Sequence, residues 1–144
     1  MARDLVNSVA VESTIDAAVL SSDSNGSGID LQGFESATVS ANLGTGGITF
    51  SGTNKIELKL EHSDDDSTYT AVTGENEVLE GSVDSNGVFF TANAADSTPA
   101  VPTIGYRGGK RYVRVVADFS GTHGTGTPVS VNVIKGHPRS TLDS

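Results

Sequence analysis

The chain has 144 residues, a net charge of -9 at pH 7 and no cysteine. This length suits a single domain with its own core, and the lack of cysteine excludes disulfides and thiolate metal sites. No apolar run is long enough to cross a bilayer and the first residues lack the apolar stretch of a signal peptide, so we expect a protein made in the cytoplasm with no membrane partner.

The first half of the chain contains alternating apolar and polar residues, the pattern of strands with one buried face. Residues 1–8 have no such pattern and are predicted to form an extended N-terminal arm. After the arm, a shared parity that Ser13 interrupts predicts one long strand or an extended segment with a kink, with the inward residues Val9, Val11, Ile15, Ala17 and Val19. Two further strands are predicted, with the inward residues Ala37, Val39, Ala41 and Leu43 in one and Ile56, Leu58 and Leu60 in the other.

The strongest strand signal lies in residues 106–121, which combine β-branched and aromatic residues with positive charge. Its alternation predicts an apolar face made of Val113, Val115, Ala117 and Phe119. The glycine-rich segment 121–127 is predicted to be a hairpin loop, after which Val129, Val131 and Val133 form the inward face of a returning strand.

No segment has a helical period, and about eight short strands recur at roughly ten-residue spacing with turn residues between them. The sequence therefore predicts an all-β protein, an antiparallel β-sandwich of the jelly-roll or immunoglobulin-like kind. The predicted domain covers residues 9–135, and residues 136–144 are predicted to form a C-terminal tail.

Two loops are weak candidates for a cation site. Asp23, Asn25 and Ser27 resemble the first half of a calcium loop, but the closing carboxylate is one place late and no helices flank the loop. The run Asp64–Asp66 is more typical of a solvated turn. Because neither pattern is complete and no nucleophile or phosphate-binding motif is present, we expect no metal, no cofactor and no enzymatic activity.

The charge is unevenly distributed. Residues 1–100 hold 16 acidic and 3 basic residues, whereas residues 101–144 hold 2 acidic and 6 basic ones. Arg107, Lys110, Arg111 and Arg114 are therefore candidates for docking on a carboxylate-rich protein surface. Pairing of Arg114 with an acid on the neighbouring strand is an equally good interpretation. Nucleic acid is not expected as a partner, because the rest of the chain would repel a polyanion.

Several short motifs occur in this order: Asp4–Asn7, Ile29–Ala37, Lys110–Arg114, Gly126–Val129 and Lys135–Arg139. In these motifs the chain resembles small structural proteins of tailed bacteriophages and prophages that are encoded among the head genes. The resemblance spans most of the length but is weak between residues 45 and 103. It implies a virion protein, and a capsid decoration (cement) protein is the role expected for a small β-sandwich.

The resemblance further implies that the partner is the major capsid protein and that the chain is located on the capsid surface. A homo-oligomer is expected, with a trimer favoured because it would match threefold sites on a shell. Leu5 and Val6 of the arm are predicted to fill a groove on a neighbour. Two alternatives remain open: a head–tail joining or tail component, and a carbohydrate-binding β-sandwich, for which the sequence has no tryptophan and few tyrosines.

Overall fold

The computed structural model describes residues 5–138, which form two packed antiparallel sheets. Short 3₁₀ turns at Val6–Ser8 and Glu75–Glu77 are the helical elements of this part of the chain. The strands are β1 (Val9–Leu20), β2 (Ser24–Asn25), β3 (Ile29–Asp30), β4 (Phe34–Leu43), β5 (Lys55–Ser63), β6 (Thr70–Ala71), β7 (Val78–Leu79), β8 (Val88–Ala92), β9 (Thr103–Tyr106), β10 (Tyr112–Ser120) and β11 (Thr127–Pro138).

Sheet A has the strand order β1-β11-β4-β9-β7, and sheet B has the order β2-β10-β5-β6. The short strand β3 also pairs with β10, and β8 pairs with β5. The all-β antiparallel sandwich predicted from the sequence is therefore confirmed. Within residues 5–138, no helix has the length and apolarity needed to span a bilayer.

The core lies between the two sheets and consists of the alternating residues predicted for β4, β5, β10 and β11. Sheet A contributes Val39, Ala41, Leu43, Val129, Val131 and Val133, and sheet B contributes Ile56, Leu58, Leu60, Val113, Val115 and Ala117, all of them buried. Phe119 continues the inward face of β10 but is only half-buried, because it lies at the end of the strand.

The prediction for β1 was wrong in most of its inward residues. Only Ile15 of the predicted set is buried, together with its neighbour Thr14, while Val11 and Val19 are exposed. The pairing of β1 with β11 shifts between Ser13 and Ile15 and again between Ile15 and Ala18. Each bulge moves the following side chains to the opposite face, so one parity cannot describe the whole strand.

The buried Thr14 links the two sheets along one side of the sandwich. Its hydroxyl donates to the carbonyl of Ser27 at 2.8 Å and accepts from the backbone N–H of Val115 at 3.3 Å. Gly26 lies between these groups, and a Cβ atom placed on it would be 2.3 Å from the Thr14 hydroxyl and 2.5 Å from the Val115 carbonyl. Only glycine fits at this crossing.

The connection 121–127 is not a hairpin, which corrects the sequence prediction. It carries the chain from β10 in sheet B to β11 in sheet A, so the valines of β11 face those of β10 across the core. Both sides of β10 are already paired, with β5 on one side and with β2 and β3 on the other. The returning strand therefore joins the opposite sheet.

The structure also changes both predicted ends of the domain. Strand β11 continues to Pro138, which pairs with Phe34, so residues 136–138 belong to sheet A and not to a tail. At the other end, residues 6–8 form a 3₁₀ turn in place of an extended arm. Residues 1–4 and 139–144, the rest of the predicted arm and tail, lie outside the described residues.

Candidate docking surface at the basic end of the sandwich

The basic residues predicted from the sequence lie on the loop between β9 and β10, which we call the basic loop (residues 107–111). The loop crosses from sheet A to sheet B and lies against the ring of Tyr106. A Cβ atom on Gly108 would be 2.6–2.8 Å from that ring and its hydroxyl, and Gly109 has a φ of +82°. The two glycines thus allow a close approach and a left-handed turn that other residues would resist.

A buried hydroxyl anchors the basic loop. The Tyr106 oxygen accepts from the backbone N–H of Lys110 at 3.2 Å and contacts Nδ1 of His62 at 2.8 Å, with the two rings edge to face. Burial lowers the pKa of His62 and raises the pKa of Tyr106 to about 12. Both shifts favour neutral groups, so a hydrogen bond between a neutral phenol and a neutral imidazole, together with the contact to Lys110, fixes the loop to the sandwich.

A groove of about 500 Å³ lies beside the basic loop. Leu31, Phe34 and Ala37 provide its apolar wall. Its polar lining consists of Gln32, Glu35, Ser36, Asp64, Tyr106, Arg107, Lys110 and Arg111, with the backbone of Gly109. The groove therefore combines an apolar wall with a mixed but cation-rich margin.

Two of the three groove cations pair with carboxylates of the same chain. Lys110 Nζ is 3.0 Å from Asp64 Oδ2, and Arg111 donates to both oxygens of Asp30 at 2.9 and 2.8 Å. These hydrogen bonds from Arg111 lower the pKa of Asp30 to about 2. Both ion pairs are exposed to solvent. The single contact of Lys110 with Asp64 is of the kind that contributes only ~0–1 kcal/mol, whereas the two parallel hydrogen bonds of Arg111 hold Asp30 more firmly. A partner carboxylate can therefore compete for Lys110 more easily than for Arg111.

Arg107 is held differently from its neighbours. Its Nε donates to the backbone carbonyl of Asn76 at 2.8 Å, and its backbone N–H donates to the carbonyl of Glu77 at 2.8 Å. Among residues 5–138, no ion pair joins Arg107 to a carboxylate, and the residue is exposed. Its guanidinium is thus oriented by the backbone and available to an acidic partner.

Arg114 does not belong to the groove. It lies on the outer face of sheet B, where it pairs with Glu61 of the neighbouring strand at 2.7 Å and stacks 4.2 Å from the centre of the Tyr69 ring. The interpretation of Arg114 as half of a cross-strand pair agrees with this geometry. Its predicted role as a support for docking by the basic loop has no geometric basis.

Leu5 and Val6 lie at the same end of the sandwich as the groove. The turn that follows them leads into Val9, which pairs with Gly136, and Gly136 in turn pairs with Ser36 of the groove. Leu5 is 71% exposed and Val6 is 77% exposed. The structure thus brings two predicted interface segments, the N-terminal turn and the basic loop, to one end of the molecule.

The candidate cation loops use their oxygens within the protein. Asp23 accepts from the backbone N–H of Phe119 at 2.7 Å. Asp65 accepts from the N–H groups of Ser67 and Thr68 at 3.0 and 2.9 Å. Within the described part of the chain, no group of three or more histidine, cysteine or acidic residues is arranged to hold a metal.

Several members of this end of the sandwich have no signal in the sequence. Asp30, Phe34 and His62 belong to separate strands, and only the fold brings them next to the basic loop. A sequence signal existed for the loop itself, since two glycines beside basic residues indicate a tight turn. Comparisons of the chain with family models, with curated proteins and with solved structures found no match.

Proposed function

We propose that the chain is a non-enzymatic structural protein of a tailed-phage or prophage particle and that it binds the outer surface of the capsid as a decoration protein. The partner is the major capsid protein, and the contact is made by the basic loop and the N-terminal turn. Support for the virion assignment comes from the resemblance of the sequence motifs. Support for the docking mode comes from the positions of the predicted residues.

One observation carries the docking mode: Arg107, Lys110 and Arg111 surround one groove at the end of the sandwich that also exposes Leu5 and Val6. Apolar side chains beside weakly held cations are suited to a protein surface that offers carboxylates around an apolar patch. The chain is otherwise acidic, so a single cation-rich end also orients the protein as it approaches a negative surface.

The tyrosines give the carbohydrate-binding alternative little support. A sugar platform needs an aromatic ring open to solvent, but Tyr106 is buried, the ring of Tyr69 is covered by Arg114, and Arg111 lies 5.1 Å from the ring centre of Tyr112.

The variant Arg107→Ser/Lys110→Ser tests the docking mode on purified shells that lack the protein. Release from the shells should be faster than for the wild type, since two cations that contact shell carboxylates are lost, while thermal unfolding should change little. Raising the salt concentration should weaken the wild-type complex more than the complex of the variant.

The matched control is Lys55→Ser/Lys59→Ser on the outer face of sheet B, which removes the same net charge away from the groove. This control should retain wild-type release and wild-type salt sensitivity. Equal salt sensitivity of the groove variant and the wild type would rule out docking through the basic loop.

A further inference from the structure

The outer face of sheet A differs in character from the rest of the molecular surface, and we call it the neutral face. Side chains that point away from the core on β4 and β11 alternate with the buried ones, and the pairing register aligns β1, β9 and β7 with them. The neutral face consists of Val11, Ser13, Val19, Ser36, Thr38, Ser40, Asn42, Leu79, Val101, Thr103, Gly105, Pro128, Ser130, Asn132, Ile134 and Gly136.

None of these residues is charged, although the chain has a net charge of -9. The acidic residues of β1 do not alter this. Glu12 pairs with the buried Lys135 on the inner side of the strand, and Asp16 is an exposed residue in a bulge of β1, at the edge of the sheet. A sheet face without charge on so acidic a protein is the composition expected of an interface core, from which charged residues are depleted.

The exposed large apolar residues are concentrated on the same face. Among the described residues they number six, and four of them belong to the neutral face: Val11 (59% exposed), Val19 (63%), Leu79 (46%) and Val101 (64%). They surround a centre of small hydroxyl and amide side chains. The other two, Leu5 and Val6, precede β1 in the N-terminal turn.

Sheet B has the opposite character. Its outer face carries three ion pairs, which join Arg114 to Glu61 at 2.7 Å, Lys59 to Asp118 at 2.8 Å and Lys55 to Glu57 at 3.7 Å. These pairs leave charged groups in contact with water on the outer face of sheet B. The same chain therefore carries ion pairs on the outer face of sheet B and no charge on the neutral face. The lack of charge on the neutral face is not a result of a sequence poor in charged residues.

We propose that the neutral face is a self-association surface on which a second copy of this chain packs. The long strands β1, β11 and β4, at ~4.8 Å spacing with about ten residues at ~3.3 Å each, together with the four residues of β9, give about 540 Å² per copy. The total of about 1,100 Å² for two copies is just above the ~1,000 Å² that a specific interface should exceed. The small outward side chains of the neutral face permit close sheet-on-sheet packing, in which stacked sheets lie ~10 Å apart.

The charge of the chain favours a second copy over other occupants. Two molecules of charge -9 repel each other at most surfaces, and the neutral face is where they meet without opposing carboxylates. A charged partner would pay the desolvation cost of its charged side chains, because the neutral face has no opposite charge to pair with them. The groove lies at the end of the sandwich and shares only Ser36 with the neutral face, so the inference does not depend on the proposed function.

The test is sedimentation of the purified protein alone, without shells. The wild type should associate at about 100 μM into species of at least twice the 14.8 kDa monomer mass. Thr38→Arg places an unpaired cation at the centre of the neutral face and should weaken association tenfold or more. Thr91→Arg is the control, because Thr91 pairs with Glu57 on the outer face of sheet B; it should leave association unchanged.

Salt provides a second readout. Higher ionic strength should strengthen self-association, because it screens the repulsion between acidic copies, whereas it should weaken docking by the basic loop. A wild-type protein that stays monomeric at 100 μM would overturn the proposal, as would a Thr38→Arg variant that associates like the wild type. If the wild type is monomeric and Thr38→Arg loses shell binding, the neutral face contacts the shell and the proposal fails in favour of that occupant.

Discussion

Replacing Leu58 with alanine is expected to lower the free energy of unfolding by about 2–5 kcal/mol. Leu58 is fully buried at the centre of sheet B, where it pairs with Ala117 on one side and Phe90 on the other. The shortened side chain would leave a cavity, because the strands on both sides are fixed by their own pairing. Urea unfolding monitored by circular dichroism measures the loss.

Phe119→Ala is the comparison for this prediction. A fully buried phenylalanine would cost ~3–5 kcal/mol, but Phe119 is half-buried at the end of β10 and packs on His123 with the ring centres 4.8 Å apart. Its loss should therefore be smaller than that of a fully buried ring. A cost below about 1 kcal/mol for Leu58→Ala would show that the inward faces of the sandwich have been assigned incorrectly.

Gly26→Ala is expected to cost at least the ~1–3 kcal/mol typical of overpacking. The added methyl group would overlap the Thr14 hydroxyl and also the Val115 carbonyl, a backbone atom held within β10. Relief of this overlap requires the β2 region to move away from β10 and so breaks the link made by Thr14. The shift in the urea midpoint, with the slope of the transition unchanged, measures the cost.

Gly52→Ala is the matched control for this substitution. A Cβ atom on Gly52 has no neighbour within 4 Å and its backbone is not left-handed, so its stability should stay within ~0.5 kcal/mol of the wild type. Equal stability of the Gly26 and Gly52 variants would contradict the tight crossing between β1 and β10.

The alternation of apolar and polar residues correctly predicted the strands that pair with another strand on each of their two edges. In β4, β10 and β11 the buried residues alternate without interruption, and in β5 they alternate up to His62, so sequence parity and structural parity agree. It failed for β1, where two bulges depend on the register with β11 and leave no local signal. The sequence also does not show which sheet the chain joins after residues 121–127, because this depends on which strand edges are already paired with other strands.

The candidate site was predictable in its charges but not in its shape. Arg107, Lys110 and Arg111 form a visible basic cluster in the sequence, and the structure places all three around one groove. Their counter-ions were not predictable, since Asp30 pairs with Arg111 across 81 positions of the chain. The neutral face was equally hidden, because it exists only after five strands have taken their places in sheet A.

A decoration protein of the kind we propose would cover a capsid in many copies, and the copy number in purified particles tests that proposal directly. Phage particles should be purified from a culture that carries the gene for this chain, and this protein should be quantified against the major capsid protein by mass spectrometry. The account predicts a fixed ratio with many copies per shell, all released when the shell surface is stripped without opening the head. A head–tail joining protein would instead give only a few copies per particle, and that result, or the absence of the chain from intact particles, would contradict the account.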